Sequence, residues 1–219
     1  YSRRGFWSHG VETQSFHWIS DIDSIDDLGP TVGISGYIGD VHYALGKAGK
    51  ILPDNVDYPK PLLHLMGRDV IKTTLLSVRS STDSVFVKPV EHKLFTGFVW
   101  QNDSSSRMKI VTLSDETEVF VTPCLEIVSE YRSFILDNQI LDVRRYAGSW
   151  SDAPNRNLVT DAVKLMRNDS PRAYCLDWFI TRHGQTVLGE MNEGYAFGHY
   201  GLQPEMYAKM LSARWHEFW

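Results

Sequence analysis

The segment Ala173-Tyr-Cys-Leu-Asp177-Trp-Phe-Ile-Thr-Arg-His183-Gly184-Gln-Thr-Val-Leu-Gly-Glu190-Met-Asn192 limits the folds open to this chain more than any other. Two strand-like runs flank His183-Gly184, and the glycine supplies the positive φ that a two-residue hairpin turn needs. With that turn Asp177 and Glu190 fall directly opposite each other, their Cβ atoms about 4.5–5.5 Å apart. Facing carboxylates destabilise a hairpin unless something neutralises them. Glu190 and Asn192 lie two positions apart on one strand, so both side chains leave the same face, about 6–7 Å apart. The pattern predicts two carboxylates and an amide oxygen converging on one spot, an oxygen-only set of the kind magnesium takes together with phosphates. An exposed, solvated acidic hairpin fits the same residues.

The rest of the chain reads as short strands with helices between them. Strand-like runs occupy 84–90, 97–101, 108–113 and 117–122. Runs 127–136 and 139–146 flank Asp137-Asn138, a second hairpin signal. In that register Glu130 faces Arg145, so a plain cross-strand ion pair competes with any other role for Glu130. A helix is predicted over 61–78 from the face Leu62, Leu65, Met66, Asp69, Val70, Thr73 and Thr74, and another over 156–168. Pro204 opens a terminal helix to about residue 217 (proline suits a first helical position). Residues 1–30, with the acidic run Asp21 to Asp27, read as an exposed segment. Gly33, Gly36 and Gly39 have the spacing GxxGxxG, which is not a dinucleotide fingerprint, and a strand and turn feeding a helix is the plain reading. Asp40 suits the N-cap of a helix through Ala48, with Gly49 just past its end. A boundary near residue 70 divides a short leading lobe, 1–70, from the main domain, 71–219. Antiparallel strands with interspersed helices define an α+β class.

Composition removes several function classes. The chain has 219 residues, 42% of them hydrophobic, which is enough for one core or two small lobes. A net charge of -5 leaves no electrostatic footprint for nucleic acid. No run approaches the roughly 18 to 20 apolar residues that span a bilayer, and the first thirty residues hold no signal-peptide core. Two cysteines without metal-ligand spacing suit a reducing compartment, so a cytoplasmic protein is expected. The first residue is tyrosine rather than methionine, which leaves room for a trimmed start. A P-loop, the protein-kinase signatures, a Lys-x-Asp-Gly motif, a Gly-x-Ser-x-Gly elbow and a His-Glu-x-x-His pattern are all missing from the sequence.

Asp177, then Glu190 thirteen residues later, then Met191-Asn192 and the glycine-containing loop Glu193 to Gly201, resemble the magnesium-binding signature of ATP-grasp ligases. Val85-Phe86-Val87-Lys88-Pro89 resembles the strand whose lysine reaches the nucleotide phosphates. Lys93-Leu-Phe-Thr-Gly97 resembles the loop that closes over them. Together the lysine segments look most like a bacterial and phage branch marked by one arginine and two lysines. A solvated strand end for Lys88 and a surface loop for Lys93 remain the plain alternatives.

The resemblance implies an ATP-grasp fold, two small α+β lobes gripping the nucleotide behind a short N-terminal lobe. It implies an ATP- and Mg2+-dependent ligase that joins a carboxylate to an amine through an acyl-phosphate, releasing ADP and phosphate. The substrate would be a small molecule or peptide. By the same resemblance Lys88, Lys93 and Lys72 (expected on the helix over 61–78) contact phosphates. Thr122, Pro123, Cys124 and Leu125 form the adenine hinge, and Glu130 holds the ribose. Arg132 serves phosphate or acyl-phosphate, with Lys93 as its catalytic companion. Asp177, Glu190 and Asn192 hold magnesium, while Arg145, Tyr195, Phe197 and His199 line the substrate pocket. Cys175 stands where relatives such as D-alanine–D-alanine ligase carry a phosphate-binding arginine, so Arg132 or Arg145 would have to substitute. The short leading lobe puts the acceptor site in doubt. A nucleotide-binding module without ligation, or a phosphotransferase acting on a hydroxyl, would use the same cleft.

Overall fold

The computed structural model of the protein describes residues 1–92 and 94–219. Two four-stranded antiparallel sheets carry the architecture. The first has the order β1 (Ile71–Thr74), β4 (Glu118–Pro123), β2 (Val85–Pro89), β3 (Phe98–Trp100). Side chains alternate across a strand, so Val87, Val119, Phe98 and Trp100 turn to a core shared with Leu75 and Val78 of α3 (Leu75–Ser80). The alternate positions Phe86, Lys88 and Phe120 are left facing the other way.

The second sheet has the order β6 (Gln139–Gly148), β5 (Ile127–Leu136), β7 (Ala173–Thr181), β8 (Thr186–Glu193). On its back face Tyr131, Ile135, Leu176 and Trp178 pack against Val159, Ala162, Val163 and Met166 of α5 (Arg156–Met166). On its front face Phe134 and Cys175 meet Phe197, Leu202 and the α6 residues Met210 and Leu211 (α6 is Pro204–His216). The remaining front positions, around Glu130, Arg132, Asp177 and Glu190, are left to the first sheet. Residues 124–126 link β4 to β5, so the segment expected to act as a hinge joins the two sheets.

The first seventy residues are not a separate core. Leu62 and Met66 are wholly buried in the cluster behind the second sheet. Val41, Ala44 and Leu45 of α2 (Ile38–Lys47) pack with Ile22, Tyr195 and Trp215. The helix α1 (Ser2–Ser8) lies on α6, where a Cβ on Gly5 would meet the carbonyl oxygen of Pro204 at 1.9 Å. Glycine is what lets the two helices approach.

Several sequence expectations change. The helix expected over 61–78 is a 3-10 turn (Lys60–Leu65), then β1, then α3. Gly67 at φ +60° ends the first piece, and pairing with β4 makes Ile71–Thr74 a strand despite its helical periodicity. The strand expected over 108–113 is replaced by α4 (Ser104–Met108) and turns, because Asp103 accepts from the Ser106 amide at 2.7 Å and caps a helix there. Asp40 sits inside the first turn of α2, accepting from the Tyr37 amide at 2.8 Å, rather than at its N-cap. Residues 1–30 are not simply an exposed segment, since α1 packs on α6 and Ile22 is buried.

Candidate functional site

The second sheet sets four charged residues in one row across its strands, Arg144, Arg132, Asp177 and Glu190. Asp177 does face Glu190, by a different route from the expected one. The turn holds three residues, Arg182 to Gly184, closed by the Thr181 amide on the Gln185 carbonyl at 2.9 Å. That shifts the register by one, and a bulge at Gly189 shifts it back before Asp177. The Phe179 ring occupies the space a Cβ on Gly189 would fill, with Cζ 2.5 Å from that point. Arg68 holds the bulge from outside, donating to the carbonyls of Leu188 at 3.0 Å and Gly189 at 3.1 Å.

Arg132 and Asp177 form a two-pronged pair, Nε to Oδ1 at 2.7 Å and Nη2 to Oδ2 at 2.6 Å, with exposures of 6% and 3%. Tyr200 and Tyr146 stack 4.7 Å apart, and the Arg132 guanidinium lies 4.9 Å from the Tyr200 ring. Tyr146 also reaches Glu130, which together with burial raises its hydroxyl far above the ordinary range. Burial pushes the Asp177 carboxyl up, and Arg132 opposes that push. Cys175 is fully buried and its thiol is raised by that burial. It packs in the core and contributes no charge to the row.

From the opposite sheet Lys72 and Lys88 both pair with Phe120, one on each side of it, so they share the face turned toward the row. Lys72 thus stands on β1 and not on a helix, and its ammonium meets Glu118 at 2.9 Å near the surface. Lys88 crosses to the second sheet. Its Nζ lies 2.5 Å from Glu190 Oε2 and 2.7 Å from Asp57 Oδ2. Burial disfavours the Lys88 charge, yet Glu190 and Asp57 outweigh burial and hold the ammonium protonated. Burial likewise pushes Glu190 up, and Lys88 with Asn192 reverses it, so the carboxyl sits below its ordinary value.

The donor set fits a hard cation shared with phosphates. Asn192 Nδ2 lies 3.0 Å from Asp177 Oδ2 and 3.2 Å from Glu190 Oε1, so the three expected ligands converge. A half-turn of the amide exchanges its nitrogen for its oxygen, completing an all-oxygen face. Among the described residues no three His, Cys, Asp or Glu side chains form a self-sufficient metal cage. An ion held here would draw the rest of its shell from a ligand.

Other expected site residues fall elsewhere. Tyr195 is buried, its hydroxyl 2.8 Å from His42 Nε2, and Phe197 packs against Phe134 and Tyr207. Both are core residues, because the loop after β8 folds back under α2 and α6. His199 stacks on Tyr1 with ring centres 3.6 Å apart. Two register shifts in the β5–β6 hairpin remove the expected Glu130–Arg145 pairing. Glu130 faces Ala147, while Arg145 faces Tyr131, is exposed, and donates to the Gly148 carbonyl. Arg144, next along, takes the place in the row. At the hinge Thr122 is buried and Cys124 exposed, with Pro123 paired to Val85. The expectation for Lys93 lies outside the described residues. Asp57, Tyr58, Arg68, Tyr146 and Tyr200 were not singled out by the sequence; nothing in a loop Asp or an edge-strand Tyr marks which strand it will meet.

Two antiparallel sheets joined by a hinge, with a lysine from one meeting a carboxylate row on the other, define a grasp-type α+β protein. Residues 65–210 match the second family of ATP-grasp domains in the clade named for one arginine and two lysines, and the chain belongs to that family. Among solved structures it is similar to the ATP-grasp ligase PsnB complexed with minimal precursor, with 15% identity and a TM-score of 0.50, covering 81% of this chain and 68% of that one. D-cycloserine synthetase DcsG matches with 14% identity and a TM-score of 0.45, over 69% of this chain and 65% of that one. D-alanine–D-alanine ligase from Bacillus anthracis matches with 13% identity and a TM-score of 0.49, over 71% and 62%. At these identities the likeness is one of fold, and the chain spans slightly less than two thirds of the latter two proteins. No curated protein matches its sequence. No helix among the described residues is long and apolar enough to cross a membrane.

Proposed function

We propose that the protein is an ATP-dependent ligase joining a carboxylate to an amine, with release of ADP and phosphate. The observation that carries this reading is the meeting of Lys88 with Glu190 between the sheets, beside Asp177, Asn192 and the buried Arg132. On this reading Lys88 and Lys72 receive the phosphates as point charges. Residues Thr122 to Leu125 and Glu130 hold the nucleoside. A Mg2+ ion on Asp177, Glu190 and Asn192, when bound, would offset charge on the phosphate oxygens. Arg132 is fixed as a cation, and its Tyr146–Tyr200 cover excludes water from a group that carries developing charge. Substrate carboxylate attack on the γ-phosphate gives an acyl-phosphate, and the amine then displaces phosphate. Residues 71–219 supply this machinery and the leading lobe, 1–70, closes it from one side. A small molecule or peptide carries the carboxylate, and the site belongs to a cytoplasmic protein without membrane or nucleic-acid partners.

One observation favours a second reading, a nucleotide-binding module without ligation. Tyr195 and Phe197, expected in the acceptor pocket, are packed into cores instead. Phosphoryl transfer to a hydroxyl would use the same cleft. A screen of amino acids and small peptides for ADP release, with mass spectrometry of the products, separates all three. Acceptor-dependent ADP release with a condensed product supports the ligase, a phosphorylated product the transferase. ATP binding without turnover across the screen leaves the binding module.

A further inference from the structure

Asp57 stands outside the residues that the family signature marks, yet it is the second anion on Lys88. It is 5% exposed and lies in the loop ahead of the Lys60–Leu65 turn. Its Oδ2 takes Lys88 Nζ at 2.7 Å and Asn55 Nδ2 at 2.8 Å. Its backbone carbonyl accepts from the Met191 amide at 2.9 Å, between the two candidate metal ligands of β8. Asn55 Nδ2 also donates to the Val90 carbonyl at 2.9 Å, just past the end of β2. Residues 55–57 therefore tie the edge of the second sheet to the strand of the first that carries Lys88. Tyr58 closes the arrangement, its ring 5.5 Å from Lys88 Nζ and 4.8 Å from Phe120.

The charges decide what this strap can do. Lys88 has two carboxylates within reach, and only Glu190 belongs to the candidate metal set. A cation arriving at Glu190 must compete with the ammonium 2.5 Å away. With Asp57 present, Lys88 keeps an anionic partner when Glu190 turns to the cation. Without it, Lys88 would be left half-buried beside the cation with no counter-charge, and would hold Glu190 instead. We propose that Asp57 is a positioning residue that retains Lys88 between the sheets and so frees Glu190 for a divalent cation. The proposal rests on the ATP and magnesium reading of the site given above.

The test is calorimetric binding of ATP at a series of Mg2+ concentrations, and of ATP in EDTA, to the full chain and to Asp57→Asn. The expected result is a split. The Mg2+ needed for half-maximal ATP binding rises about tenfold or more, the scale of one charge-assisted contact. Binding of metal-free ATP is unchanged or tighter, because Lys88 has lost an anion that competes with phosphate. Loss of both together means Asp57 is only structural and overturns the proposal. An unchanged Mg2+ requirement, with normal binding by the unaltered protein, overturns the proposal alone. No Mg-ATP binding by the unaltered, folded protein overturns the site reading and the proposal with it. If Asp57→Asn does not fold, Asn55→Ala keeps the charge and loosens the strap. A smaller rise in the Mg2+ requirement is then expected, and none at all would refute the idea.

Discussion

The Arg132–Asp177 pair gives the sharpest test of how this sheet is built. Both side chains are more than nine-tenths buried and joined by two charge-assisted hydrogen bonds of 2.6 and 2.7 Å. Replacing Asp177 by Leu strands a guanidinium in that environment, which costs about 3–5 kcal/mol. For a chain of this length that is a fall in Tm of about 6–20 °C, at 2–4 °C per kcal/mol. Arg132→Met strands the carboxylate and carries a similar cost. The double variant removes both charges and refills the volume with apolar groups, so it should return to within about 2 kcal/mol of the parent. The cycle therefore predicts a coupling energy of at least about 3 kcal/mol. Urea unfolding followed by far-ultraviolet circular dichroism measures all four proteins. Single variants that each cost under about 1 kcal/mol and simply add would mean a solvated pair, and the buried row would be wrong. ADP release by the double variant should stay absent although its stability returns.

Lys88→Ala should weaken ATP binding about tenfold or more, the loss of a charge-assisted phosphate contact, and unchanged calorimetric affinity would remove Lys88 from the site. Glu190→Gln loses the Lys88 pair but also the repulsion from Asp177, and Asp57 still holds Lys88, so unfolding free energy should move by no more than about 1 kcal/mol. Its turnover at saturating magnesium should nevertheless fall by orders of magnitude; full activity would dismantle the metal reading. His42 is held below its ordinary value by burial and by the neighbouring His92. The unfolded chain therefore takes up that proton first, and stability present above about pH 6.5 is lost as pH falls through the lower folded value. Tm measured from pH 7.5 down to 5.5 should decline, and His42→Gln should flatten the decline; identical slopes would contradict it.

The sequence by itself determined the chemistry of the carboxylate hairpin. Alternation puts Glu190 and Asn192 on one face whatever surrounds them, and the family signature followed from residues within twenty positions of each other. Lys88 at the end of a buried strand was legible for the same reason. Register was not. The expected two-residue turn at His183-Gly184 and the real three-residue turn with a bulge at Gly189 both bring Asp177 to Glu190, so one outcome had two routes. In the β5–β6 hairpin no such compensation occurs, and two bulges replaced Arg145 by Arg144 in the row. A bulge is fixed by what packs on it, as Arg68 and the Phe179 ring do at Gly189, and those groups lie far off or across the sheet. Tertiary packing likewise turned Ile71–Thr74 from an expected helix into a strand, since an edge of β4 was waiting to be paired. It also brought Asp57 to Lys88 and Glu190 across 31 and 133 positions of chain, a meeting that no local periodicity encodes.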